Sequence, residues 1–239
     1  MLRNLLIPGI ISGIIAGALL TLVQQFNVIP LILEAETYEV KSEQHSHTTD
    51  THEHGATDTN VAQVEWSPHD GNERTLFTLM TNIILGIGFS LLLVSLMTAS
   101  KFSGWRSGMF WGLAGFCVFF LAPSLGQPPE LPGAVQATLE HRQLWWAATV
   151  ASTAIGLGLL FLNPATTFRI FGVVFIIAPH FFTNSVSITE ISSVPEELIR
   201  SFIITTSFAN ILFWLVIGTV NGFLKSHYFE SLPIQEINS

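Results

Sequence analysis

Charge is what this sequence has least of. Lysine, arginine, aspartate and glutamate together make up 11% of its 239 residues, against about 25% in ordinary soluble domains. Apolar residues reach 49% and the mean hydropathy is +0.52. That balance excludes an ordinary soluble domain and points to a chain that crosses a membrane several times. Cysteine is nearly absent as well: Cys117 stands alone, so no internal disulfide framework can form. There is no Gly-x-x-x-x-Gly-Lys-Ser/Thr loop to cradle a nucleotide, so this chain does not itself hydrolyse ATP. No His-Glu-x-x-His set lies on any apolar run, which removes the basis for an intramembrane metalloprotease. No enzymatic activity is expected, and no nucleic-acid partner.

What is present is a series of six uncharged runs, at about 5–27, 76–98, 107–125, 144–162, 170–182 and 201–224. They predict an all-α fold, a polytopic membrane helical bundle of about six transmembrane helices forming a single membrane domain over 1–239. The fifth run is short and holds Pro179-His180, so the count falls to five if 170–182 is re-entrant. The first run is longer than a signal-peptide core and no small-x-small cleavage pattern follows it, so it is expected to stay as an anchor. Gly9, Gly13 and Gly17 give it a flat face for a neighbouring helix. Gly104, Gly108 and Gly112 repeat the spacing in the third run, and the two faces are expected to mate.

Between the first and second runs lies a long acidic segment, 34–74, with ten carboxylates against Lys41 and Arg74. Four of the eight histidines sit in it as two His-x-His pairs, His45 with His47 and His52 with His54. Imidazole nitrogen and carboxylate oxygen suit borderline divalent ions such as cobalt, nickel, zinc and copper. In extended chain, residues two apart point the same way, so each pair can face one ion. Glu34 and Glu36, at the root of the segment, are placed to pass that ion onward. The competing reading is a solvated, low-complexity linker.

With the amino terminus in the cytoplasm and six spans, the inner face carries five basic and two acidic residues. The outer face carries four basic and fifteen acidic residues, and the 34–74 segment becomes an extracytoplasmic loop. Short basic turns inside are what orientation rules favour. This places the chain in a cell inner membrane, embedded in the lipid bilayer. On this arrangement Gln24, Gln25, Asn82 and His180 lie toward the outer ends of their helices. Polar groups at membrane depth need a partner or water, so each is either a functional candidate or a helix-to-helix hydrogen bond. His180, beside a proline that frees a backbone carbonyl, can offer both ring nitrogen and carbonyl to a metal. Met97 and Cys117 are expected to be packing residues.

Several irregular blocks carry more specific information than hydropathy. They are Leu22-Val-Gln-Gln-Phe-Asn-Val-Ile-Pro-Leu-Ile-Leu-Glu-Ala-Glu-Thr-Tyr-Glu39, the histidine segment, Leu121-Ala-Pro-Ser-Leu-Gly-Gln-Pro-Pro-Glu-Leu-Pro-Gly133, Arg142-Gln-Leu-Trp-Trp146 and Ala178-Pro-His180. Through these the chain resembles, nearly end to end, the CbtA family of bacterial membrane proteins regarded as cobalt transporter subunits. The resemblance implies cobalt as transported substrate, with nickel or zinc as neighbouring possibilities. It also implies a small single-span membrane partner, CbtB, with a histidine-rich end of its own. No organic cofactor is implied. The expected function is a membrane subunit of a divalent metal (cobalt) uptake system. Its metal ligands would be His45, His47, His52, His54, Glu34, Glu36 and His180. The alternative is a metal-binding or sensing membrane protein without transport of its own.

Overall fold

In the computed structural model, residues 2–46, 68–100, 104–134, 138–182 and 193–230 are described. They form six continuous helices and no strand. Helix α1 covers 2–46, followed by α2 (Asn72–Ala99), α3 (Trp105–Gly126), α4 (Leu139–Leu162), α5 (Thr166–Phe181) and α6 (Glu196–Glu230). Within these, Leu5–Tyr38, Asn72–Ala99, Trp105–Gly126, Leu139–Leu162 and Glu196–His227 are long and apolar enough to cross a membrane. Their outward faces carry large apolar side chains such as Leu85, Phe110, Phe161 and Phe208, as lipid contact requires.

Two expectations change here. The run at 170–182 belongs to the shorter helix α5, which closes in a 3-10 turn at Ala178–Phe181, so five long candidate spans replace six. The first apolar run does not end in loop: helix continues through Ser46, so residues 34–46 are helical. The extended-chain argument for pairing His45 with His47 therefore meets helical backbone at His45. His47 lies outside the described residues.

Proline shapes two of the long helices in the same way. Pro30 has no N–H to offer the Phe26 carbonyl, and Pro123 has none for Phe119; in each case the ring would also strike that carbonyl. The preceding turn widens to π-helix, at Gln24–Val28 and at Cys117–Leu121. Ile29 N–H then bonds the carbonyl of Gln24, and Ala122 N–H that of Cys117. The helix passes each proline without breaking, and the carbonyls it releases become available to other groups.

Glycine sets the helix pairing. A Cβ on Gly13 would fall on the Ile87 backbone and one on Gly17 on Asn82 and Ile83, so the first glycine face mates with α2. Gly108 and Gly112 lie as tightly against Gly218, Gly222 and Trp214 of α6. The two faces predicted to meet each other thus take different partners, because Gly86 in α2 and Gly218 with Gly222 in α6 supply equally flat counterparts. Buried Trp214 centres the core, with Phe119 stacked on it at 5.4 Å and Leu93, Met97, Phe213 and Ile217 around it. Met97 is fully buried packing, as expected.

These contacts fix direction. α1 is antiparallel to α2, α3 is antiparallel to α6, and α6 is parallel to α2, since Asn221 Nδ2 donates to Ser90 Oγ and Lys225 Nζ to the Met97 carbonyl. One end of the bundle therefore holds the start of α1, the turn at Ser100 and Gly104, and Lys225. The opposite, distal end holds the extension of α1, the segment 127–134 and the start of α6, joined in a second core of Val28, Ala35, Leu131, Val194, Leu198 and Phe202. Helices α4 and α5 form an antiparallel hairpin through Gly156 and Gly172. It starts and finishes at the distal end, where His180 returns to Trp145.

Candidate functional site

Of the expected ligands, Glu34, Glu36 and His180 lie at this distal end, and these three do not converge. Glu34 is exposed on the α1 extension. Glu36, half-buried, is taken by Arg74, whose guanidinium lies 2.9 Å from its carboxylate and 3.2 Å from Asp70. His45 is in helical backbone, and His47, His52 and His54 lie outside the described residues. His180 sits half-buried in the turn ending α5, its ring edge-on to Trp145 at 5.7 Å. Glu36 thus stands at the α1/α2 junction and His180 at that of α4/α5. Among the described residues no three His, Cys, Asp or Glu side chains gather as a metal site.

The amides at the distal helix ends are joined to neighbouring helices. Asn82 Nδ2 donates to Thr21 Oγ1 at 3.0 Å and to Gln24 Oε1 at 2.6 Å, while Thr75 Oγ1 donates to Gln25 Oε1 at 3.1 Å. This is the helix-to-helix role, and it pins the π-helical turn of α1 onto α2. Asn210 bonds the Thr206 carbonyl of its own helix.

What the sequence reading missed is a cleft of about 590 Å³ between the end of α3, the proline segment and the start of α4. The irregular blocks at 121–133 and 142–146 line it, and the block at 178–180 touches its wall through His180 against Trp145. Both indoles of Trp145 and Trp146 clasp the proline-bent end of α3: Trp145 Nε1 donates to the Pro123 carbonyl at 3.1 Å, and Trp146 Nε1 to the Phe119 carbonyl released by Pro123. Gln127 Nε2 lies 3.2 Å from His141 Nδ1. Arg142 Nη2 lies 3.3 Å from Glu130 Oε2, and the Glu130 side chain is only 19% exposed. A signal was available, because a carboxylate inside Pro-Pro-Glu-Leu-Pro and an arginine shortly after it are conspicuous in a chain so short of charge.

Burial pushes the Glu130 carboxyl above the usual carboxylate range, and Arg142 pulls it partly back. The folded chain thus holds this proton more tightly than the unfolded one, so the stability it confers is present at acid pH and lost as pH rises through the raised pKa. Removing the pull of Arg142 raises that pKa further. Arg142→Ala is therefore expected to lower stability in detergent, by about 1 kcal/mol at neutral pH because the arginine is partly exposed, and less at pH 5, read as a fall in melting temperature. Glu130→Gln in the same background should restore most of it. A deficit equal at pH 5 and pH 8 would show that the pair is not its source.

Five long apolar candidate spans, a short sixth apolar helix and a charged, aromatic-rimmed cleft at one end define a polytopic helical membrane protein. A family profile described as "Probable cobalt transporter subunit (CbtA)" matches residues 2–226. The chain belongs to the CbtA family. Comparison with curated proteins and with solved structures found no match.

Proposed function

We propose that this chain is the membrane subunit of a cobalt uptake system that captures the ion at an outer histidine and acidic segment and passes it through the helical bundle. His45, His47, His52 and His54 collect the ion, Glu34 and Glu36 stand at the root of the segment, and His180 at the bundle entrance. The observation that carries the reading is the membership of the family, joined to the gathering of the α1 extension, the cleft and His180 at a single end of the bundle. The start of α1, Ser100, Gly104 and Lys225 share the other end, which is the cytoplasmic face by the positive-inside rule. Helix α5 makes a short sixth crossing: its sixteen residues reach about 24–26 Å, against about 30 Å of hydrocarbon. A membrane potential of about 100 mV, negative inside, favours entry by roughly 2.3 kcal/mol per unit charge, twice that for a divalent ion. The partner is a small single-span subunit of the CbtB kind.

The deciding experiment is the metal content of cells expressing the chain with and without such a partner, exposed to low cobalt, nickel or zinc. Selective cobalt accumulation is expected. No accumulation of any metal by an inserted protein whose outer segment binds metal would leave the sensing alternative standing. His180→Ala should lower the maximal uptake rate at every cobalt concentration. An unchanged rate takes His180 out of the path.

A further inference from the structure

The buried face of α4 is Trp145, Thr149, Thr153 and Gly156, about one residue per turn. Its two ends have firm neighbours. Gly156 lies against Gly172 and Ile176 of α5, and Trp145 against Gly126, the Pro123 carbonyl and His180. Between them Thr149 is 0% and Thr153 2% exposed, yet neither hydroxyl has a hydrogen-bond partner among the described residues.

That is not for want of a local option. Thr21, Thr78 and Thr98 each turn the hydroxyl back onto the carbonyl four residues earlier, as membrane-helix threonines commonly do. Thr149 and Thr153 do not, although a buried hydroxyl with no hydrogen bond is costly. Two such hydroxyls one turn apart on one face, neither bonded to its own helix, call for a shared guest that can give and accept hydrogen bonds. The same face begins at Trp145, which also lines the cleft. Cleft, indole, histidine ring and hydroxyls therefore follow one another along α4.

We infer that Thr149 and Thr153 line an aqueous passage between α4 and α5 for a hydrated divalent cation, closed in this structure by Trp145. Metal-bound waters are strong donors that a threonine oxygen accepts, so the cation need not shed its shell to pass. His180 packs on the closing indole, so a metal drawn to its ring meets Trp145 first. The inference rests on the uptake reading for its cargo, but the existence of the passage does not.

The test uses the full chain in sealed vesicles with Cys117→Ser, carrying Thr149→Cys or Thr153→Cys, and a membrane-impermeant thiol reagent. Both cysteines should react, several-fold faster when Trp145→Ala is added, and cobalt should slow the reaction several-fold. Ile155→Cys, on the exposed face of the same helix, should stay unreactive because lipid holds no water to form thiolate. Failure of both cysteines to react even with Trp145→Ala overturns the passage, and reaction that cobalt does not slow overturns its occupation by the cation. The pair Thr149→Val and Thr153→Val reads the same question without labelling. Were the hydroxyls merely structural, valine would leave uptake intact and stability equal or higher; in a passage, the maximal uptake rate falls several-fold with stability undiminished, and serine restores it. Wild-type vesicles that hold the partner subunit as well and accumulate no cobalt, while cobalt still protects the cysteines, would sink the uptake reading and leave the passage standing.

Discussion

Gly112→Leu is expected to be the most damaging single substitution in this chain, leaving little folded protein in the membrane. A Cβ at this position would fall on the Trp214 carbonyl and crowd Gly218 at 3.3 Å, both backbone of α6 that cannot swing aside. A leucine there forces α3 and α6 apart over their whole seam, and with it the stacking of Phe119 on Trp214 and the buried Phe116 packing beside it. Overpacking a close helix contact costs about 1–3 kcal/mol, and more where neither side can repack. Gly88 and Gly158 are the controls, since nothing lies within 4 Å of a Cβ on either. Leucine at those sites should be tolerated and gain the usual helix preference over glycine, about 0.8–1 kcal/mol. Yield of folded protein and melting in detergent report both results. Equal behaviour of Gly112→Leu and Gly88→Leu would remove the glycine seam as the basis of the α3/α6 pairing.

Replacing His45, His47, His52 and His54 together with alanine should raise the cobalt concentration for half-maximal uptake by about tenfold or more, with less effect on the maximal rate. Capture is a matter of affinity at low metal, whereas passage through the bundle uses other groups. Imidazoles with a reference pKa of about 6.5 must be neutral to bind, so the wild-type advantage should fade as pH drops toward 6. Uptake measured at trace cobalt, across pH 6 to 8, separates these effects. If the quadruple variant takes up trace cobalt as well as wild type, the histidine segment is not the collector.

How far the sequence reached differs by level. Hydropathy located each of the six described helices, because each apolar run reports its own solvent and needs no other part of the chain to do so. It overcounted long spans at 170–182, where Pro179 cuts the run and leaves α5 short. It ended α1 too early, since acidic residues such as Glu34, Glu36 and Glu39 were read as loop although they are good helix formers on a helix already nucleated. The glycine faces were legible as faces. Their mates were not, because Gly13 fits Gly86 as well as any flat surface, and lipid gives no hydrophobic preference between helices.

The site divides along the same line. The blocks at 121–133, 142–146 and 178–180 stood out as irregular chemistry, and the resemblance they carried led to the family. That Glu130 pairs with Arg142, that two tryptophans hold the proline-bent carbonyls, and that Glu36 is engaged by Arg74 were decided by packing.

By itself, then, the sequence determined an all-α membrane bundle, its run lengths and its likeness to cobalt transporter subunits, because these depend on side chains meeting water or lipid one segment at a time. Only the tertiary structure decided which helices touch, which end gathers the cleft and His180, and which threonines are left without partners. Those are contacts between residues far apart in the chain, and their geometry exists only once the helices have packed.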